Sequence, residues 1–241
     1  MKNTETQPHD KFIKTLMDIS RAITSDLFLE DLLKLIVLLT AKMIGVEICS
    51  LWLIDENENP PKIRLKATQA IEPEYVKDRS LNLNEGVVGY VATQKKPLVI
   101  KNVMRSRRFK EKEMAKKLGL VSMVGVPLKL QDEKIVGVLN CFTSVSYDFT
   151  ETEINALTTV ANQAAVAILN TELMVKTKVI AEELESRKMI EKAKEILMLS
   201  RNLKVDEAYR WIQKRSMDSR KTMRQVSEAI ILSDELFQEN K

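Results

Sequence analysis

One histidine, two cysteines and six glycines are all that these 241 residues hold of the side chains on which most catalytic and cofactor chemistry rests. His9 stands close to the amino terminus, so no Ser/His/Asp set can be assembled, and histidine ligation of haem or non-haem iron inside a folded domain is argued against. Cys49 and Cys141 sit in the apolar runs VEICSLW and VLNCFTS, with no cation beside either to lower a thiol pKa. They read as reduced, buried thiols of a cytosolic protein. The glycines are scattered rather than gathered into a phosphate-binding loop. An acidic cluster with a distant lysine, as in a phosphate-receiving domain, is also missing. The most apolar run, FLEDLLKLIVLLTAKMIG, is interrupted by Glu30, Asp31 and Lys34, which argues against a membrane span. The opening MKNTETQPHD lacks an apolar signal core and reads as a short disordered tail over residues 1–8.

What is present belongs to an ordinary globular chain, 44% hydrophobic and 30% charged, long enough for one large or two small domains. Residues 11–24 and 29–44 carry apolar side chains at helical spacing, including Leu16, Ile19, Leu32, Leu33 and Ile36. The period then changes. EICSLWLID alternates, with Ile48, Ser50, Trp52 and Ile54 on one side, and KIRLKATQ alternates again across the ENENPP turn, which predicts a hairpin. Glu85-Gly86 opens a short helix, KPLVI is a strand, RRFKEKEMAKKLG is a charged helix, and SMVGVPLKLQ and KIVGVLNCFTSV are two further strands. A helix starting after Thr150 has Glu153 three residues on, the pattern of a capping box. This order predicts an α+β domain, an antiparallel sheet flanked by helices.

From about 168 the chain stays helical and becomes charged, with Ile168, Val175, Val179, Leu173, Ile180 and Leu184 as an imperfect heptad-like seam. Three helical segments follow over 187–241. The first places Ile190, Ala193 and Leu197 on one stripe. The second aligns Ala208, Trp211, Ile212 and Arg215. The third takes Asp218 as N-cap and aligns Met223, Val226 and Ile230. Such short helices need one another's apolar stripes. Residues 187–224 hold twelve basic and five acidic side chains, a net of +7 in a chain whose total is +4. Positive charge concentrated on one small helical unit is the electrostatic footprint of a polyanion-binding surface, where the bland alternative is a solvated helix face.

LNLNEGVVGYVATQKKPLVIKNV, VGVPLKLQDEKIVGVLNCF and FTETEINALTTVANQAAVAILN resemble the GAF sensory-domain family over nearly its full length. The resemblance implies a sheet-and-helix domain enclosing a small-molecule pocket, with a possible small-molecule effector as the occupant. Ser50, Trp52 and Asn140 are pocket-lining candidates, with core the stronger role for Trp52. The family's haem and bilin ligands are argued down by the lone histidine and by cysteines not followed by histidine. Another protein, or ligand-free dimerisation, are the other roles open to this domain.

RKMIEKAKEILM followed by DEAYRWIQKRSMDSRKTMRQVSEAI resembles the ANTAR family, with Arg187, Ile190, Ala193, Lys194, Leu197, Met198, Ala208, Tyr209, Ser216, Met217 and Val226 on the pattern. Glu195 stands where glycine is usual and Ser227 where alanine is usual. The resemblance implies an all-α three-helix bundle that binds RNA stem-loops in nascent transcripts and opposes transcription termination, working as a dimer. On it, Lys194, Arg215, Arg220, Lys221 and Arg224 are assigned to phosphate or base contacts, with Arg210 as a weaker candidate. Ser216 and Met217 are assigned to the turn, Tyr209 is a stacking candidate, and Trp211 is assigned to the core.

The expected organisation is therefore a tail over 1–8, a GAF domain over 9–170, a helical linker or coiled coil over 171–186 and an ANTAR domain over 187–241. The expected protein is a cytoplasmic, non-enzymatic, signal-responsive regulator, a homodimer through GAF and connector helices, partnered by RNA stem-loops and not by membrane. A DNA-binding transcription factor, with residues 216–218 as the turn of a helix-turn-helix, is the alternative, and a GAF-based thiol enzyme the third reading.

Overall fold

The computed structural model describes residues 8–23, 28–70 and 79–238, and the chain divides into two compact units, residues 1–171 and 172–241. The tail expected over 1–8 lies outside the described residues except for Pro8, which starts a helix.

The first unit opens with α1 (Pro8–Ile23) and α2 (Leu29–Ile44), followed by β1 (Ile48–Asp55), β2 (Lys62–Thr68) and β3 (Ser80–Asn82). Then come α3 (Gly86–Gln94), β4 (Leu98–Ile100), α4 (Lys112–Lys117), β5 (Ser122–Lys129), β6 (Ile135–Thr143) and the start of α5 (Glu151–Arg201). The strands form one antiparallel sheet in the order β3-β2-β1-β6-β5-β4. β3 has no signal in the sequence, because three residues are too few for a period to show. The charged helix expected over RRFKEKEMAKKLG contracts to the six residues of α4.

The sheet is buried on both faces. Cys49, Leu51, Val124, Val126, Leu139 and Cys141 pack into one core with α1, α2 and the first turns of α5. Trp52, Met123, Val138 and Phe142 pack into a second core with α3 and Phe109. Alternation along β1 is real, yet both of its sides are covered, so Cys49 and Leu51 are as buried as Ser50 and Trp52. Close strand packing fixes Gly137, where an added Cβ would meet the Trp52 carbonyl oxygen at 2.1 Å. The capping box at α5 forms as expected. Glu153 N–H donates to Thr150 Oγ1 at 3.2 Å, and Thr150 N–H donates to the Glu153 carboxylate at 2.8 Å.

The second unit holds the remainder of α5 with α6 (Val205–Ser219) and α7 (Met223–Gln238). Ala193, Leu197, Ala208, Ile212, Val226 and Ile231 are its buried core. The first of the three expected helices has no start of its own: it is the end of the 51-residue α5. Asp218 is not an N-cap. It lies in the last turn of α6, and α7 is opened by Thr222, whose Oγ1 accepts Gln225 N–H at 3.2 Å while its own N–H donates to Gln225 Oε1 at 3.0 Å. Residues 216–218 are accordingly helix, and the turn is Arg220–Thr222.

The heptad-like seam also resolves differently. Ile168 is 2% exposed in the first unit's core. At about 100° per residue, Val175 and Val179 fall on one side of α5, and Leu173, Ile180 and Leu184 on the other. All five are exposed.

Ser227 has no accessible surface and its hydroxyl has no hydrogen-bond partner among the described residues. A buried orphan hydroxyl costs about 1–3 kcal/mol, and alanine is also the better helix former. Ser227→Ala is expected to stabilise the second unit by about 1 kcal/mol, read as roughly fivefold greater native-state hydrogen-exchange protection in α7.

Candidate nucleic-acid interface

Helix α6 separates its residues by period. Ala208 and Ile212 face the core, while Arg210, Lys214 and Met217, spaced i, i+4 and i+7, share the outward side and are exposed. Met217 is 73% exposed, an apolar group set among cations. Tyr209 is 43% exposed and so stays out of the core.

The helix then ends in a Schellman arrangement. Lys221 N–H donates to Ser216 O at 3.1 Å and Arg220 N–H to Met217 O at 3.3 Å. Ser216 Oγ donates to Lys221 O at 2.5 Å, tying the turn to the helix. Arg220 occupies the left-handed position, with φ 53° and ψ 35°, where glycine is preferred. The strained backbone thereby presents a guanidinium and the neighbouring ammonium of Lys221 to solvent.

The twelve basic residues of 187–224 are not equivalent. Four are tied to carboxylates: Lys188 to Glu185, Lys192 to Glu235, Lys194 to Glu191 and Arg224 to Glu228, at 2.8–3.1 Å. Lys194 is further set back, its side chain only 12% exposed. The Glu228 hydrogen bond and charge raise the pKa of Arg224. Arg210, Lys214, Arg215, Arg220 and Lys221 are exposed and make no ion pair among the described residues. Of the residues singled out in the sequence, Arg210, Met217, Arg220 and Lys221 therefore gather at α6 and its terminal turn, with Ser216 as the clamp. Arg215 turns instead toward a cleft between the helices. Lys214 was missed as a contact candidate, although its i+4 spacing from Arg210 carried the signal. Trp211 is half-buried and flanks the core, and the Arg201 guanidinium sits 4.7 Å from its ring centroid. Glu195 is exposed on α5.

In the first unit, the pocket candidates Ser50, Trp52 and Asn140 are all core. Trp52 Nε1–H donates to Ser50 Oγ at 3.1 Å, and the buried Asn140 Oδ1 has no hydrogen-bond partner among the described residues. An open cleft of about 680 Å³ lies elsewhere in that unit, lined by Lys95, Lys129, Asn162 and Gln163 among others. Cys49 and Cys141 are cross-strand register partners with sulfurs 2.8 Å apart, both free. Burial first, then the neighbouring Cys141 sulfur, pushes the Cys49 thiol pKa up. Among the described residues, no group of three or more His, Cys, Asp or Glu is placed to hold a metal ion, and no helix is long and apolar enough to cross a membrane.

A GAF domain model matches residues 26–169, well over half of the sequence. The chain belongs to the GAF-domain family. Behind that domain an ANTAR domain model matches residues 179–231, reaching back into the segment expected as connector. Among solved structures the chain is similar to the GAF domain of an Acinetobacter phosphoenolpyruvate-protein phosphotransferase. The identity is 28% and the TM-score 0.59, covering 73% of this chain and 99% of that one. The corresponding domain from Coxiella burnetii gives 23%, 0.63, 70% and 99%. A free methionine-R-sulfoxide reductase from Neisseria meningitidis gives 16%, 0.57, 68% and 91%. The last two likenesses show the fold alone. Over 52 residues the chain is 38% identical to the transcriptional regulatory protein PdtaR of Mycobacterium tuberculosis, covering 22% of this chain and 25% of that one. The chain thus spans about a quarter of the length of that curated relative. GAF followed by ANTAR, with a transcriptional regulator as relative, is a regulatory architecture.

Thiol catalysis requires an accessible thiolate. A disulfide reagent such as Ellman's is expected to find no fast-reacting thiol in the native protein at pH 8 and two after unfolding in guanidinium. A rapid native reaction would return the thiol-enzyme reading to consideration.

Proposed function

We propose that this protein is a cytoplasmic regulator that grips RNA stem-loops in nascent transcripts through its ANTAR unit and opposes termination, under control of its GAF domain. The observation that carries the reading is the cluster of cations on α6 and its terminal turn that make no ion pair among the described residues, inside the stretch matched by the ANTAR model. Phosphates draw such a surface by counterion release. Hairpin loops add splayed bases that a protein can read, whereas the A-form major groove is too narrow for a helix. Arg210, Lys214, Arg220 and Lys221 hold phosphate. Met217 adds an apolar contact and Ser216 holds the turn in place. Lys194 and Arg224 join only by exchanging carboxylate for phosphate.

A paired hairpin target calls for two copies of the unit. Leu173, Thr177, Ile180 and Leu184, spaced by four, three and four residues, form a short a/d seam on α5, its three large apolar side chains 50–65% exposed. A second copy of the same helix is the partner that such a seam suits. An effector or protein partner at the GAF domain would act by shifting how the two copies are held, which changes RNA affinity by differential binding.

Arg220→Ala is expected to cost about 1 kcal/mol of hairpin affinity and to reduce the salt slope by about one counterion. Arg220→Gly separates charge from fold: it removes left-handed strain and so raises stability, while weakening RNA binding as much as alanine does. Unchanged hairpin binding in an Arg220→Ala, Lys221→Ala, Arg224→Ala triple variant, measured with double-stranded DNA as competitor, would remove this site. Ile180→Glu with Leu184→Glu is expected to yield a monomer by sedimentation and to abolish preference for two-hairpin over one-hairpin RNA. A dimer that survives both changes places the interface elsewhere.

A further inference from the structure

Between the end of α5 and helices α6 and α7 lies a cleft of about 440 Å³, within the range of small-ligand pockets. Its lining is chemically specific. Arg201 and Arg215 offer only donors, the Asp234 carboxylate only acceptors, and Ser200 and Ser233 either. The Trp211 indole stands among them, half-buried, with the Arg201 guanidinium over its ring at 4.7 Å. Aliphatic side chains of α5 and α7 complete the wall. Arg215 is exposed and has no ion pair among the described residues.

Each group asks for something different of an occupant. The indole and guanidinium planes ask for a flat ring. The arginine donors and the serine hydroxyls ask for an edge carrying both acceptors and donors. The free Arg215 fork asks for an anion beside that ring. An acidic peptide satisfies the arginines but offers the indole no flat ring. A lipid chain leaves the polar rim unpaired. A nucleotide satisfies them, its ring against the indole, its base edge against the serines and its phosphate on Arg215. The cleft is too small for a duplex.

We propose that this cleft receives one unpaired nucleotide of the bound RNA, its base against the Arg201–Trp211 pair and its phosphate on Arg215. The proposal rests on the RNA-binding reading and assigns the base-reading part of it, leaving the outer cations of α6 to the flanking backbone. Arg201 and Trp211 become contact residues, a role that sequence reasoning had not given them.

The chain contains two tryptophans, Trp52 and Trp211. In an NMR titration of the full-length ¹⁵N-labelled protein, the two indole N–H signals are assigned by the one lost in Trp211→Phe. Adenosine, guanosine, cytidine and uridine monophosphates are then added separately. The Trp211 signal is expected to move saturably with at least one of them, with half-saturation at a few millimolar. The core Trp52 signal should stay fixed. Adenosine without its phosphate, and the nucleotide added to Arg215→Ala, should bind at least about fivefold more weakly. A Trp211 signal unmoved by about 20 mM of all four nucleotides overturns the assignment. So does one that moves equally with and without the Arg215 side chain, or in step with Trp52. A hairpin gel shift on the same protein reports on the RNA reading itself. Hairpin binding without nucleotide binding removes the cleft alone. Nucleotide binding without hairpin binding keeps the cleft and removes the transcript.

Discussion

The second unit depends on a buried contact among small and medium apolar side chains: Ala193 and Leu197 of α5, Ala208 and Ile212 of α6, Val226 and Ile231 of α7. Helices of about fifteen residues are marginal alone in water, so this seam supplies what hydrogen bonding along each helix does not. It also sorts charge. Once Ala208 and Ile212 must face inward, the 3.6-residue period turns Arg210, Lys214 and Met217 outward, with no further interaction needed to aim them. The surface proposed to meet RNA is in this sense the remainder left by the core.

The carboxylates then decide which cations stay available. α5 and α7 carry acids three or four residues from their lysines and arginines, and these close into ion pairs worth little to stability when exposed. The later part of α6 and the turn after it have Asp218 as their one acid, and it pairs with none of their cations. A left-handed backbone at Arg220, where glycine would be easier, keeps two more charges at the helix end. Strain of this kind persists where surrounding structure or function holds it, in keeping with the phosphate contact proposed for this turn.

In the first unit the governing constraint is coverage of the sheet on both faces. It converts residues that look like pocket lining in the sequence into core. Trp52 and Ser50 satisfy each other, and the paired thiols lie under helices beyond easy reach of solvent. Asn140 is the exception. Its Oδ1 has no hydrogen-bond partner among the described residues, and it faces Gly125, whose missing side chain is what makes room for it.

The sequence by itself determined the elements and their class. Long segments of clear period, such as α2, β1, β5 and β6, were legible because burial imposes spacing on apolar residues, and the GAF and ANTAR motifs were legible because their blocks keep residue type and interval. Local chemistry was read less well where two residues compete for one role. Thr222 rather than Asp218 caps α7, because the helix before it runs on through Asp218 to Ser219. Three matters belonged to the tertiary structure alone. It took Ile168 out of the apparent heptad seam, since that residue is claimed by a core that no local pattern reveals. It separated paired from unpaired cations, since Lys192 meets its carboxylate 43 residues away. And it brought Arg201, Trp211, Arg215 and Asp234 around one cleft, a meeting of three helices that sequence spacing does not encode.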